Sequence, residues 1–270
     1  MSAPAVSVVM TVYNGEPWLG AAVDSILGQT FRAWELIVID DGSTDDSPQT
    51  LARRPDPRLR IVWQPRAGQT ASLNRALRLA RAPLIARMDA DDVALSERLG
   101  RQVEWLGVHP EIGLLGTGCH EIAPDATVLR TIRPPADDGS IRRALIRANP
   151  FIHSSVMFRR NVLDQVGTYD ERFVVAQDYD LWLRMSRVTS LAILPDPLVL
   201  RRVVPGQLSS ARDTTRLRDE VVVKARALAR GDYPWWDACF LVKPLAGLAV
   251  PRVLRQRLRL AIRSGTAHAR

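Results

Sequence analysis

The sequence predicts an α/β fold in which a mostly parallel central sheet is flanked by helices. Through the first half of the chain, short apolar runs rich in β-branched residues alternate with amphipathic helical stretches. Hydrophobic residues make up 46% of the 270 residues, which is enough for a sizeable core. No repeat or low-complexity linker interrupts the sequence, so one compact unit is expected through about residue 210.

Four apolar runs in the first half predict buried strands, at residues 6–14, 34–40, 59–64 and 83–89. Helices are predicted from Glu16 and from Gly68, because apolar residues recur on one helical face in both stretches. Both helices are typical of crossover connections between parallel strands.

The second half is predicted to be less regular. We expect Ser96 to cap a helix that runs to about Val108, followed by a strand at 111–122. The remaining elements are a hairpin arm and turn at 127–140, a helix at 140–148, an extended segment at 153–160, a short helix ended by Gly167, a helix at 177–188 and strand material at 190–203.

Charge divides the chain into two parts. Residues 211–270 hold 13 of the 37 basic residues but only 5 of the 29 acidic ones, whereas residues 1–210 carry 24 of each. The +8 net charge therefore belongs to a basic extension at 211–270, predicted to be helical, and not to the domain at 1–210. The main body lacks a stripe of basic and aromatic residues, so nucleic acid is not expected as a partner.

Cysteine usage and the termini bear on location. The two cysteines form no CxxC pair, and the amino terminus lacks a basic region and a cleavage site, so a cytoplasmic protein is expected. The apolar segment before Lys243 is shorter than the ~20 residues that a spanning helix needs. Arginines and leucines alternate over 252–263, which suits either peripheral contact with an anionic membrane or packing on the main domain.

Carboxylates gather where two predicted strands end. The second strand closes with Asp40, and the fourth closes with Asp89, Asp91 and Asp92. Asp89 and Asp91 can point to a common side of an extended segment, which suits Mg²⁺ or Mn²⁺ bound by oxygen ligands and by substrate phosphates. The alternative is that these acids cap the next helix and face water.

Four segments, taken in order, resemble family 2 glycosyltransferases of the GT-A fold, which has a Rossmann-like, mostly parallel sheet. They are residues 7–31, 35–47, 83–103 and 153–184. The resemblance implies an inverting, hexosyltransferase-type enzyme that uses Mn²⁺ or Mg²⁺. It would transfer a sugar from a UDP-, GDP- or dTDP-sugar to a hydroxyl of a glycan or lipid-linked glycan, in bacterial cell-surface polysaccharide assembly, with 1–210 as its catalytic domain.

The resemblance also assigns roles on the donor side. Thr11 and Tyr13 are similar to residues that meet the nucleotide base, and Tyr13 offers an aromatic face. Asp40 is similar to a carboxylate that hydrogen-bonds the base or ribose. Asp91 matches the direct metal ligand, and Asp89 matches a partner of the ribose or the metal.

On the acceptor side, Asp178 matches the family's catalytic base, and Gln177 replaces the usual Glu before it, which removes a neighbouring charge. Three further residues are candidates for the site. His153 is either a contact to the diphosphate or metal, or a buried structural histidine. Trp182 is either a sugar-stacking residue or a core residue, and Arg202 is a candidate for a loop that closes over the donor.

The sequence also bears on three other classes of protein. A Rossmann dehydrogenase is excluded, because no G-x-G-x-x-G follows the first strand. A metal-dependent sugar nucleotidyltransferase also needs carboxylates, but the sequence lacks a glycine-rich, basic phosphate loop after that strand. A non-catalytic glycan-binding or scaffold protein is the alternative if Gln177 marks loss of the base function.

Overall fold

Strands and helices alternate through the first ninety residues of the chain. The structure is a computed structural model that describes residues 3–204 and 213–250. Its first half contains β1 (Val6–Val12), α1 (Leu19–Leu27), β2 (Trp34–Asp40), α2 (Ser47–Ala52), β3 (Leu59–Trp63), α3 (Gln69–Leu79) and β4 (Leu84–Asp89). The four strands are parallel, as predicted, and they lie in the order β3-β2-β1-β4.

The apolar runs of β1 and β2 follow from their position in the middle of this sheet. Every residue of both strands is buried, as expected where helices cover both faces of a parallel sheet. Thr11 of β1 pairs in register with Ile39 of β2 and with Asp89 of β4. The carboxyl ends of these three strands therefore meet at one edge of the sheet.

The second half of the domain extends the sheet with antiparallel pairs. It comprises β5 (Val93–Ala94), α4 (Arg98–Val108), β6 (Ile112–Ile122), β7 (Val128–Ile132), α5 (Asp138–Leu145), β8 (Met157–Arg159), α6 (Val162–Val166), α7 (Gln177–Met185) and β9 (Ser190–Arg202). Strand β8 pairs antiparallel with both β4 and β6, and β6 pairs parallel with β9. The described residues form a nine-stranded sheet in the order β3-β2-β1-β4-β8-β6-β9-β5, with β7 on β6.

Two local predictions were wrong. Ser96 does not cap α4, which begins after Glu97 without a side-chain cap; the Ser96 carbonyl instead accepts a hydrogen bond from the Thr30 amide at 2.9 Å. The segment predicted as extended from 153 begins with a 3₁₀ turn, His153–Ser155, and only Met157–Arg159 form a strand. That turn brings the Ser154 hydroxyl to the acids at the end of β4.

The described residues divide into two units. One comprises residues 3–172 and 177–204, and the other comprises 173–176 and 213–250. The second unit contains α8 (Asp213–Ala229), a 3₁₀ helix (Trp235–Leu241) and α9 (Val242–Ala249). The predicted boundary at residue 210 and the arginine-rich segment 252–263 lie outside the described residues. No helix in the described part of the chain has the length and apolarity to cross a membrane.

A buried arginine ties α4 to the strands beneath the carboxyl edge. Arg98 is fully buried, and its Nη2 donates to the carbonyl oxygens of Arg87 and Val156 at 2.9 and 3.2 Å. Its Nε donates to Gln102 Oε1 at 3.1 Å, and Gln102 Nε2 donates to the carbonyl of Ser155 at 2.9 Å. This network fixes the end of β4 against the turn that precedes β8.

Arg98→Met is expected to lower the free energy of unfolding by about 3 kcal/mol, because the buried carbonyls of Arg87 and Val156 each lose a charged donor, while the Arg87 amide still donates to Val156. Arg101→Met on the same helix is the matched control. Arg101 pairs with Asp196 at 2.8 Å, but both side chains are nearly half exposed, so its loss should cost less than about 1 kcal/mol. Urea unfolding measures both changes, and equal losses would contradict this role for Arg98.

Candidate active site

The predicted nucleotide-binding residues lie at the carboxyl ends of β1 and β2. Thr11 is buried in β1, and Tyr13 follows the strand with 43% of its surface exposed. Asp40, the last residue of β2, is buried; its Oδ1 accepts from the Ser43 amide at 2.8 Å. Its Oδ2 has no hydrogen-bond partner among the described residues. A buried acceptor of this kind is suited to a donor group on a ligand.

The neighbouring Asp41 fixes the loop that follows β3. Its carboxylate accepts from the amides of Ala67 and Gly68 at 2.8 Å and from Gln64 Nε2 at 2.7 Å. Burial raises the pKa of Asp41, but these hydrogen bonds outweigh burial and lower it below its usual value. The same loop carries Arg66, whose guanidinium carbon lies 3.2 Å from the centroid of the Tyr13 ring. A cation therefore stacks on the ring that we predicted to face the base.

Three carboxylates converge at the end of β4. Asp89, Asp91 and Asp92 each offer an oxygen, and these oxygens lie within 4.8 Å of one another. The Ser154 hydroxyl is 2.7 Å from Asp89 Oδ2 and also contacts Asp92 Oδ2. The side chain of Asp92 is buried, and its Oδ1 accepts from the Arg202 amide at 2.7 Å. Asp92 thus faces the protein, while Asp89 and Asp91 are partly exposed.

A fully buried guanidinium supports this cluster. Arg87 forms an ion pair with Asp89, and its Nη1 donates to Ser154 Oγ at 3.2 Å. Burial raises the pKa of Asp89, but the charge and hydrogen bond of Arg87, together with His153 and Ser154, outweigh burial and lower it to about 2. Burial, followed by the charges of Asp89 and Asp91, raises the pKa of Asp92 to about 8. The cluster therefore concentrates more negative charge than Arg87 alone neutralises.

A hard divalent cation fits this donor set, because all three side chains offer carboxylate oxygens and crowding of their charges favours a cation. Asp91 and Asp89 would hold it. Part of the Asp89 carboxylate is engaged by Arg87 and Ser154, which is consistent with Asp91 as the principal ligand.

The predicted base lies at the start of α7. Asp178 Oδ2 accepts a hydrogen bond from Asn149 Nδ2 at 2.9 Å. Burial raises the pKa of Asp178 to about 6, and it is held there against the opposing effects of the Tyr179 amide, Arg87 and Asn149. A carboxylate with such a pKa is an anion at neutral pH yet basic enough to accept a proton, as a general base requires.

Gln177 forms a hydrogen bond with helix α3. Its Nε2 donates to Gln69 Oε1 at 3.3 Å, at the first residue of α3. Its Oε1 is buried and has no hydrogen-bond partner among the described residues. The substitution of Gln for the family's Glu thus leaves a neutral acceptor beside Asp178.

His153 and Trp182 belong to one buried aromatic group. His153 Nε2 lies 3.1 Å from the hydroxyl of Tyr169, and burial followed by the charge of Arg87 holds the His153 pKa well below its usual value. Trp182 is 0% exposed, with the rings of Phe151, His153, Phe158 and Tyr169 at 6.0–6.4 Å. The sugar-stacking interpretation of Trp182 is therefore wrong in this structure, since no face of its ring reaches solvent.

Arg202 is fixed in place and does not belong to a closing loop, contrary to the prediction. It is the last residue of β9 and is buried. Its Nη1 donates to the carbonyls of Ala123 and Pro124 at 3.2 and 2.8 Å, and its Nε donates to the carbonyl of Asp91 at 3.1 Å. Arg202 therefore holds the backbone of the acidic segment.

Sequence reasoning missed three residues that position the predicted site. Arg87 carried a signal, because a charged residue interrupts the otherwise apolar run of β4. Ser154 carried none, since it lies 65 residues from the Asp89 that it contacts. Asn149 carried none either, because its contact with Asp178 depends on how the segment after α5 packs against α7.

The sequence comparisons define the family. Residues 7–167 match the family described as "Glycosyl transferase family 2". "Amylovoran biosynthesis glycosyltransferase AmsE" of Erwinia amylovora is 31% identical over 229 residues, which covers 83% of this chain and 85% of AmsE. "Putative glycosyltransferase EpsE" of Bacillus subtilis is 28% identical over 262 residues, which covers 95% and 93%. The chain belongs to glycosyl transferase family 2.

Solved structures share the fold. The mannosyltransferase PcManGT of Pyrobaculum calidifontis, in complex with GDP-Man and Mn²⁺, superposes with a TM-score of 0.66 at 23% identity, covering 99% of this chain and 81% of that one. S. aureus TarS 1–349 in complex with UDP gives 0.68 at 20% identity, covering 89% and 70%. The chain spans 42% of the longer TarS chain. The fold is the GT-A fold, as the sequence resemblance implied.

Asn149→Ala is expected to raise the pKa of Asp178 above about 6, because it removes a hydrogen bond that favours the carboxylate anion. The pH at which half of Asp178 is ionised should therefore rise. On acidification, Asp178 should become protonated at a higher pH than in the wild-type protein. Carbon-13 NMR titration of the Asp178 carboxyl measures this directly. An unchanged midpoint would show that Asn149 has no influence on the base.

Proposed function

We propose that this chain is a metal-dependent, inverting glycosyltransferase that transfers a sugar from a nucleotide-diphosphate sugar to a hydroxyl of a glycan or lipid-linked glycan. The observation that carries the proposal is the proximity of a base to the carboxylate cluster. Asp178 has a pKa of about 6, and the charges of Asp89 and Arg87 both act on that pKa. The turn His153–Ser155 also links them, because Ser154 contacts Asp89 while the His153 ring packs on Trp182, one turn along α7 from Asp178. Base and cluster would therefore form one site, as direct displacement requires.

Asp178 would accept the proton of the acceptor hydroxyl while the hydroxyl oxygen attacks the anomeric carbon. The bond from that carbon to the diphosphate oxygen breaks as the new glycosidic bond forms, so the configuration inverts and a nucleoside diphosphate leaves. Asn149 would orient the Asp178 carboxylate throughout. A divalent cation held by Asp91 and Asp89 would supply positive charge to the departing diphosphate.

The donor is proposed to be a UDP-, GDP- or dTDP-sugar. Support comes from the neighbours in structure, which were solved with UDP, UDP-GlcNAc or GDP-Man. Tyr13 and the free oxygen of Asp40 would meet the base or ribose, with Thr11 beside them. The names of the relatives AmsE and the O-antigen biosynthesis glycosyltransferase WbnJ of Escherichia coli support bacterial cell-surface polysaccharide assembly as the setting.

We also propose a cytoplasmic protein in peripheral contact with the inner face of the membrane. Two features support this. Residues 211–270 carry 13 basic against 5 acidic residues, which favours anionic lipid. In the second unit, Trp235 and Trp236 are 80% and 61% exposed, as suits side chains that lie in a membrane interface.

The proposal is tested by thermal shift with a panel of UDP-, GDP- and dTDP-sugars, with and without Mn²⁺. One donor should stabilise the wild-type protein only when the metal is present. Asp91→Ala should lose this shift, because it removes the principal metal ligand. Asp178→Asn should keep it, but should release nucleoside diphosphate by donor hydrolysis about 10²–10⁴-fold more slowly, because the base is gone.

Asp196→Asn, which removes an exposed carboxylate, is the matched control and should behave as wild type. In a parallel assay with a nucleoside triphosphate and a sugar 1-phosphate, release of pyrophosphate would indicate a nucleotidyltransferase. A wild-type protein that no donor stabilises with Mn²⁺, and that releases neither product, would contradict the proposed function.

A further inference from the structure

A groove of about 400 Å³ runs along α5, outside the residues assigned so far to the donor and the metal. Its volume lies in the range of small-molecule sites, roughly 300–1,000 Å³. It is lined by Pro135, Ser140, Arg143, Ala144, Arg147, Ala148, Asn149 and Pro150.

The charge of this groove is positive. Arg143 and Arg147 are both exposed and stand four residues apart, and no carboxylate is among the lining residues. Arg143 Nη2 donates to Ser140 Oγ at 3.0 Å, which orients its guanidinium along the groove wall. The nearby Asp137 is engaged as the cap of α5, where its Oδ1 accepts from the Ser140 amide at 2.9 Å. Two guanidinium groups that line the same groove attract an anion, and each can bind a pair of its oxygens.

The groove leads to the base. Asn149 lines it and also donates through Nδ2 to Asp178 Oδ2 at 2.9 Å. Its Oδ1 accepts from the Phe151 amide at 3.0 Å, so both ends of the Asn149 amide are fixed. A molecule in the groove therefore lies beside the residue that contacts Asp178.

We propose that the α5 groove binds an anionic group of the acceptor, and that Arg143 and Arg147 select acceptors carrying a phosphate or carboxylate near the reacting hydroxyl. This inference rests on the proposed function, because it takes Asp178 as the base. Two kinds of acceptor carry such an anionic group. One has the diphosphate of a lipid-linked glycan, and the other has the carboxylate of an acidic sugar. Arg is suited to both, since its planar fork matches each in a bidentate manner.

Calorimetric binding to the full-length chain tests the proposal with two matched pairs of probes. Farnesyl diphosphate is compared with farnesol, and cellobiouronic acid is compared with cellobiose. The nucleoside diphosphate that corresponds to the donor sugar is present in excess together with Mn²⁺. The site for the donor's own diphosphate is therefore filled. We expect the wild-type protein to bind at least one anionic probe more tightly than its neutral partner, and that probe identifies the source of the anion.

The double variant Arg143→Gln/Arg147→Gln should weaken binding of that probe by about tenfold or more, because it removes two charged donors. Arg78→Gln, at an exposed arginine of α3, is the matched control and should bind as wild type. Thermal melting of each variant checks that the fold is retained, and the single variant Arg143→Gln serves if the double variant melts early.

Two outcomes overturn the inference. One is that neither anionic probe binds better than its neutral partner, and the other is that the groove variants bind with wild-type affinity. If a nucleoside diphosphate still binds with Mn²⁺ in either case, the proposed function stands without the anionic acceptor. A protein that binds no nucleoside diphosphate with Mn²⁺ contradicts the proposed function itself, whatever the probes do.

Discussion

The ion pair between the buried guanidinium of Arg87 and Asp89 is the interaction on which the site depends. Three carboxylates at the end of one strand repel one another and burial favours their protonated forms, and a fixed cation offsets both effects at Asp89. Arg87 keeps Asp89 ionised, and its charge also reaches Asp178 and His153. A single buried charge thus contributes to the pKa shifts of Asp89, Asp178 and His153.

The sheet explains how one arginine reaches so many partners. Parallel β1, β2 and β4 end at one edge, and the next strand, β8, runs antiparallel to β4. The chain therefore enters β8 from the carboxyl edge, and the turn His153–Ser155 that precedes it lies beside the acids. Arg98 links the two sides of this junction, because it donates to the carbonyl of Arg87 in β4 and to the carbonyl of Val156, the residue before β8. The residues that stabilise the fold at this junction therefore also hold the acids of the site in place.

Much of this arrangement could be predicted from the sequence, because it depends on local patterns. Apolar runs placed the four parallel strands, and strand ends placed Asp40 and Asp89 at one edge. The rest depends on packing between distant segments. Whether Trp182 faces a ligand or the core is set by rings from three other parts of the chain, and Arg202 is held by carbonyls on the β6–β7 connection. A single sequence carries no periodicity that records such contacts.

The chemistry of the site depends on two acids whose pKa values differ. Asp89 is held as an anion beside Arg87, whereas burial raises the pKa of Asp178 to about 6. The central claim is that Asp91 and Asp89 hold a divalent cation. Anomalous diffraction from crystals soaked with Mn²⁺ and a nucleoside diphosphate tests it most directly. We expect a manganese peak bound to Asp91, and a map with nucleotide beside Tyr13 but no peak at the carboxylates would show that these acids do not hold the cation.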